Sequence, residues 1–447
     1  MHGIPSLIGD NGRVLDLAGV GFGPSNLALA VALREADAGL AVRFLEKRDR
    51  FVWHGNMLLD GSRMQISFLK DLVSLRDPTS RYSFLNYLHR QGRLQDFINL
   101  RTFYPSRREF NDYLSWVASD FDGLCDYGMD VVAVEPVRVG DAVPHVRIRA
   151  RDAEGRERSL LARNLVIGAG ATPLVPDVFD GLVRKGTGKA SSGPLVIHSN
   201  DYLAAAGELA RAGRVAVVGL GQSAAEIFLD LHARGVDVDI VARGPAMRPA
   251  DSSPFANQVF DADYTGYLYG LPPAERADLL RAFHNTNYAV VDPDLIDAIY
   301  AIFYQQKVEA TDRHGLLTRH EVVAARADAA AGGLLLDLAG LDGGELRQRR
   351  YGAVVLATGY RRRIHEELLR PMEPWLTGGE VGRDYRLPTV PGCTAGLYLQ
   401  GCCEATHGLS DTLLSILPIR AQEIAVALTG GTGWGRGQQI RELTSAQ

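Results

Sequence analysis

Apolar residues in this chain come in short blocks whose spacing changes in a regular order. Val14 to Val20 is an apolar run that stops at Gly21. Helical spacing follows from about Asn26 to Ala36, and Ala41 to Leu45 is apolar again and closes on Glu46. That order predicts strand, glycine turn, helix, strand. It repeats at Arg214 to Val218, Gly219 to Gly221, Ser223 to Arg234 and Val236 to Val241. Two further apolar strands end in small residues: Leu165 to Ile167 before Gly168-Ala169-Gly170, and Tyr351 to Leu356 before Ala357-Thr358-Gly359-Tyr360. Small residues at a strand end let backbone pass close to a ligand. Residues 262–310 read as helical and rich in Tyr and Asn.

Two such units imply two nucleotide sites. The expected fold class is α/β, with two Rossmann-like dinucleotide-binding domains and a smaller, largely helical substrate-binding region. One domain spans 1–190 and 355–447 and is interrupted by a second at 191–354. Substrate-binding elements are expected at about 251–310, 62–73 and 404–416. Gly430 to Gln447, Gly-rich and then polar, is expected to be a loosely packed tail.

The first turn is Gly19-Val20-Gly21-Phe22-Gly23-Pro24. Its glycines allow a tight turn and close approach of a pyrophosphate to backbone N–H groups at a helix N-terminus. Pro24 stands where a third glycine is usual, and proline suits a first helical turn because its missing N–H has no partner there anyway. Glu46, at the end of the second strand, can bind a ribose hydroxyl and disfavours a 2′-phosphate, so this site suits FAD or NAD. The second turn, Gly219-Leu220-Gly221-Gln222-Ser223-Ala224-Ala225-Glu226, is followed by a strand that ends on Arg243 instead of a carboxylate. A guanidinium there can grip a 2′-phosphate, which favours NADPH; taken alone, Arg243 could also be a solvated surface residue.

Composition narrows the class. The 447 residues are 46% hydrophobic and 23% charged with a formal charge of −5, enough for two or three domains. No basic field invites nucleic acid or anionic lipid. No apolar run approaches the roughly 20 residues of a membrane span, and no secretory signal opens the chain, so a cytoplasmic protein is expected. Cys125, Cys393, Cys402 and Cys403 lack the spacing of a disulfide framework, a zinc site or a C-x-x-C pair. They read as buried or half-buried thiols, and no metal is expected.

The chain resembles the microbial N-hydroxylating flavin monooxygenases, the L-ornithine and L-lysine N-monooxygenases of siderophore biosynthesis, from about residue 15 to residue 428. The carriers are Gly19 through Asn26 with its Gly-x-Gly-x-x-Pro form, Trp53-His54, Met64 through Val73, Asp251-Ser252-Ser253-Pro254-Phe255, Asn285-Thr286-Asn287-Tyr288, Ala357-Thr358-Gly359-Tyr360, and the long block His407 through Ser415. The resemblance implies FAD, NADPH as hydride donor, and dioxygen, with oxygen delivered from a flavin hydroperoxide to a neutral substrate amine while NADP+ stays bound. It places substrate contacts on Gln65, Lys70, Asn257, Asn287 and Ser410. It places FAD on Gly19, Gly21, Gly23, Pro24, Ser25, Glu46, Trp53, His54, Gln65, Ser410 and Leu413. NADPH falls on Gly219, Gly221, Gln222, Ser223, Glu226, Arg243, Thr358 and Tyr360. No residue is assigned as an acid or base.

One cation and several amides suit a zwitterionic amino acid, although Lys70 alone could be a surface lysine, and Asn257 and Asn287 alone could be turn residues. The stretch Arg93 to Leu100, then Phe103 to Arg107, is closer to the ornithine branch, so L-ornithine is the expected substrate, with L-lysine or a diamine as alternatives. Other readings are a Baeyer–Villiger or sulfide-oxidising flavin monooxygenase, a disulfide reductase, and a silent nucleotide-binding assembly partner. The resemblance also implies a homo-oligomer, a tetramer or a dimer.

Overall fold

The computed structural model describes residues 13–184, 194–328, 332–344 and 346–430. The tail expected from Gly430 to Gln447 therefore lies outside the described residues beyond its first glycine. The first sheet forms around Val14–Val20 (β1), whose last four residues are buried. Such a run suits a strand covered on both faces, the usual state of a parallel sheet. β1 pairs in parallel with Val42–Glu46 (β2) on one side and Glu157–Ile167 (β6) on the other. Cys125–Tyr127 (β3) extends the β2 edge. Asp130–Val139 (β4) and Ala142–Arg151 (β5) add antiparallel to the first half of β6. The second half of β6 receives Gly396–Leu399 in parallel.

After the two-residue strand Thr172–Pro173 (β7), the second sheet is built from Leu195–His198 (β8), Val215–Val218 (β9), Val238–Val241 (β10) and His314–Leu317 (β11). An antiparallel meander of His320–Ala327 (β12), Leu334–Gly340 (β13) and Arg347–Tyr351 (β14) lies against one face. Helices Gln222–Ala233 and Pro293–Val308 cover the other face. Ala353–Leu356 (β15) sits between β9 and β8. The expected return to the first domain near residue 355 thus falls inside a strand of the second sheet. The chain leaves that sheet only after Leu356, through Tyr360–Arg361 (β16), which pairs with β7. An apolar strand reads alike in either sheet, and only its neighbours decide. Within 262–310 the helices are Ala262–Gly270, Pro273–Ala282 and Pro293–Val308.

One buried network ties the two ends of the first domain together. Arg420 and Asp411 are each 1% exposed, and Arg420 Nη1 donates to Asp411 Oδ1 at 2.7 Å. Arg420 Nη2 donates to Ser25 Oγ at 2.8 Å, and Cys403 N–H donates to the other Asp411 oxygen at 2.6 Å. Beside it, buried Asn26 donates to the Val20 and Gly21 carbonyls and accepts from Gln400 Nε2 at 2.9 Å. The first glycine turn is therefore held from behind by residues nearly 400 positions away in sequence.

The four cysteines are free. Cys402, half-buried, is held below the ordinary thiol range by hydrogen bonds with Cys403 and His365, while Cys403 is pushed up.

Three buried histidines are held neutral. His314 Nδ1 accepts the Val238 N–H at 3.2 Å, so its Nε2–H donates to His232 Nδ1 at 2.9 Å. His407 stacks on Tyr385 at 4.0 Å and pairs with the Arg383 carbonyl, and His198 pairs with the Gly359 carbonyl. Burial lowers all three from 6.5 to about 4.

Two predictions follow from this packing. Between the folded and unfolded values the unfolded chain binds more protons, so stability is full above about pH 6.5 and is lost as pH falls towards 4. Urea unfolding at pH 7, 6 and 5 should show that loss at roughly 1–2 kcal/mol per buried histidine by pH 5; a flat profile contradicts it. Arg420→Met strands the Asp411 carboxylate and should cost about 3–5 kcal/mol in the same assay. Adding Asp411→Leu should recover most of that loss.

Candidate active site

The first glycine turn leads from β1 into helix Pro24–Glu35, with Pro24 in the first turn and no side chain capping the N-terminus. Gly21 has φ +81°, and a Cβ there would lie 2.6 Å from the Gly168 carbonyl oxygen, so only glycine fits. A Cβ on Gly23 would meet nothing within 4 Å, which leaves space at the helix end. Gly19 packs against the Phe44 ring. Glu46 accepts the Phe22 N–H at 2.7 Å and the Arg48 N–H at 3.0 Å, which fixes its carboxylate beside the turn. Uncapped amides, open space and a fixed carboxylate at the next strand end fit a pyrophosphate and a ribose.

The second turn repeats the arrangement. Gly219 has φ +138°, and a Cβ there would sit 2.3 Å from the Ala357 carbonyl oxygen. Gly221 caps helix Gln222–Ala233, again without a side-chain cap, and Ser223 is half-buried in its first turn. Arg243, just past β10, is 76% exposed and makes a long ion pair with Glu321 at 3.7 Å, so most of its guanidinium faces solvent. Thr358 donates to the Leu174 carbonyl at 2.5 Å, and Tyr360 packs edge-on against His198, both where β15 hands the chain back.

At the junction of the two domains the structure joins residues that the sequence kept apart. Glu226, placed by sequence at the second nucleotide, is 5% exposed at its side chain and forms a two-point ion pair with Arg107 of the first domain, at 2.8 and 2.7 Å. Gln222 donates to Glu226 and Asp292, both at 2.9 Å. Gln65 donates to the second oxygen of Asp292 at 2.9 Å. Tyr288 donates to the Glu404 carboxylate and lies 3.4 Å from Thr412 Oγ1, which ties the Asn287 loop to the block around Ser410. Burial and this hydrogen bond push the Tyr288 hydroxyl up to about 12.

His54 follows Trp53 in a left-handed conformation (φ 51°), with ring centroids 4.7 Å apart. The residue is exposed to solvent, although protein atoms crowd round it. Burial first, then the charges of Arg107, Arg48 and Arg362, lower it to about 4, so it is neutral. Lys70 is half-buried and has no ion-pair partner among the described residues.

Two expected contacts also have protein partners. Asn257 donates to the Ser253 carbonyl at 3.1 Å, and Ser410, 1% exposed, shares a hydrogen bond of 3.2 Å with Thr265. The Asn287 amide and Leu413 are half-buried. Sequence reasoning missed Arg107, Asp292 and Glu404. Asp292 before Pro293 signals a helix start, but nothing local announces that its carboxylate meets two glutamines.

No described helix is long and apolar enough to cross a membrane, and the described residues hold no metal-binding group of His, Cys, Asp and Glu.

Known proteins share this fold. The family described as L-lysine 6-monooxygenase/L-ornithine 5-monooxygenase matches residues 13–362. An L-ornithine N(5)-monooxygenase of Pseudomonas aeruginosa is 50% identical over 424 residues, covering 93% of this chain and 94% of that protein. The solved ornithine hydroxylase of Pseudomonas aeruginosa superposes with a TM-score of 0.87 at 48% identity, over 94% of this chain and all of that one. An ornithine N-hydroxylase of Kutzneria, solved with reduced FAD, NADP+ and L-ornithine, superposes with a TM-score of 0.86 at 36% identity, over 93% and 99%. With two glycine turns on two sheets and a likeness that runs along nearly its whole length, the chain belongs to the L-lysine 6-monooxygenase/L-ornithine 5-monooxygenase family.

Proposed function

We propose that this protein is an FAD- and NADPH-dependent monooxygenase that hydroxylates the side-chain amine of L-ornithine with dioxygen. The observation that carries the reading is the identity with L-ornithine N(5)-monooxygenases along nearly the full chain, on a fold with two separate dinucleotide turns. FAD belongs at the first turn, against Gly19, Gly21, Gly23, Pro24, Ser25 and Glu46, with Trp53, His54, Gln65 and Leu413 towards the junction. NADPH belongs at Gly219, Gly221, Gln222 and Ser223, with Arg243 for the 2′-phosphate and Thr358 and Tyr360 where the sheets meet. Bound FAD, reduced by NADPH, supplies the capacity to activate dioxygen.

The chain's own residues bind and orient the amino acid. Lys70, a cation without a carboxylate partner among the described residues, suits the substrate α-carboxylate, with Gln65, Asn257 and Asn287 as amide partners. The same cation would repel a diamine's second ammonium, which favours an amino acid. An amine attacks only when neutral, and the burial that lowers His54, helped by the charges of Arg107, Arg48 and Arg362, acts the same way on an amine beside it. Glu226 contributes to NADPH binding by holding Gln222, since Arg107 and Gln222 take up its carboxylate. Ser410, buried against Thr265, supports the wall from behind.

A cytoplasmic homo-oligomer goes with this reading. The exposed stripe of Tyr300, Tyr304 and Val308 along one helix supports contact between copies.

Protein loaded with FAD and NADPH should give hydroxylamine product from L-ornithine, and about tenfold or more less from L-lysine, where one methylene is worth about 1–3 kcal/mol, or from putrescine, which lacks the α-carboxylate for Lys70. NADPH oxidation without hydroxylamine from any amine would sink the reading. Lys70→Met should raise KM for ornithine by about tenfold or more while FAD content stays at the wild-type level. Arg243→Ala should raise KM for NADPH but leave KM for NADH nearly unchanged.

A further inference from the structure

Asp292 stands at the start of helix Pro293–Val308, at the junction of the domains, and nothing in the proposed chemistry uses it directly. Each of its carboxylate oxygens takes one glutamine: Oδ1 accepts from Gln65 Nε2 and Oδ2 from Gln222 Nε2, both at 2.9 Å. Its backbone N–H donates to Gln222 Oε1, also at 2.9 Å. A carboxylate only accepts, so both amides must present their NH2 groups to it. The Gln222 amide is then fully fixed, with Glu226 taking its other N–H at 2.9 Å. The Gln65 amide is fixed with Oε1 turned away from Asp292 and with no partner among the described residues.

From this geometry we infer that Asp292 is a positioning residue that sets the orientation of Gln65 and Gln222 together, and so couples the nicotinamide site to the substrate site. Gln65 reaches it from the 62–73 segment of the first domain, and Gln222 from the second glycine turn. The free Gln65 Oε1 is an acceptor suited to the substrate α-ammonium or a flavin N–H. Gln222, held at three points, is a fixed wall for the nicotinamide end. If either amide turned, its Oε1 would face a carboxylate oxygen, acceptor against acceptor, and a turned Gln222 would also set its Nε2 against the Asp292 N–H. The two sites therefore share one hydrogen-bonding state. The inference rests on the function proposed above.

The test uses the full-length protein loaded with FAD. In Asp292→Asn one acceptor becomes a donor, so one glutamine must turn. Calorimetry with NADP+ should show the dissociation constant raised about tenfold. Hydroxylated product per NADPH consumed should fall to about half or less, because one site's amide no longer matches the other. Asp294→Asn, exposed two residues along, should leave both readouts at the wild-type level. Wild-type NADP+ affinity and wild-type coupling in Asp292→Asn would overturn the inference.

Should Asp292→Asn also lower the melting temperature, the double variant with Gln222→Met decides. An NADP+ affinity equal to that of the weaker single variant supports action through Gln222, and multiplied losses overturn it. Wild-type protein that makes no hydroxylamine from ornithine would reject the function, whereas the NADP+ titrations need no turnover and still decide the role of Asp292.

Discussion

The buried pair of Asp411 and Arg420 is the constraint on which the first nucleotide site depends. Two charges removed from water are tolerable only when each is met by further hydrogen bonds, and these are met by Ser25 and by the Cys403 N–H. That requirement forces the C-terminal segment to lie behind the first helix's opening turn. With Gln400 holding Asn26, and Asn26 holding the Val20 and Gly21 carbonyls, the turn is built to one geometry. Only then do the glycine contacts with Gly168 leave room and uncapped amides for a phosphate.

The second domain is joined to the first by charge as well as by chain. Arg107 and Glu226 face each other across the junction with little solvent, and a half-buried carboxylate at Asp292 stands one glutamine away. Burial raises the Asp292 carboxyl, while the Gln65 and Gln222 donors work the other way. Low local dielectric makes such a chain of hydrogen bonds strong when complete and costly when broken. A domain interface with these demands has few acceptable arrangements, which suits a reaction that must keep two cofactors and a substrate in register.

Much of this was legible from residue order. Val14–Val20, the turn after it and Glu46 were placed correctly because a buried parallel strand, a glycine turn and an acid at the next strand end each leave a local mark. The helices between 262 and 310 were legible for the same reason. The return to the first domain was expected at 355, inside the strand that ends at Leu356 in the second sheet, since an apolar strand carries no label for its neighbours. Glu226 was read as a ligand contact from its place in a motif, and its two-point bond to Arg107 could not be read there.

By itself, then, the sequence determined the two strand–turn–helix units and the family to which the chain belongs. The units are written in spacing and in glycine's access to positive φ, which act within a few residues, and the family is carried by its resemblance in particular motifs. Tertiary structure alone decided which side chains answer one another across the junction: Arg107 with Glu226, Gln65 with Gln222 through Asp292, and Tyr288 with Glu404. Each of these pairs joins residues far apart in the chain, and a carboxylate's partner is chosen by whatever the fold brings within about 3 Å of it.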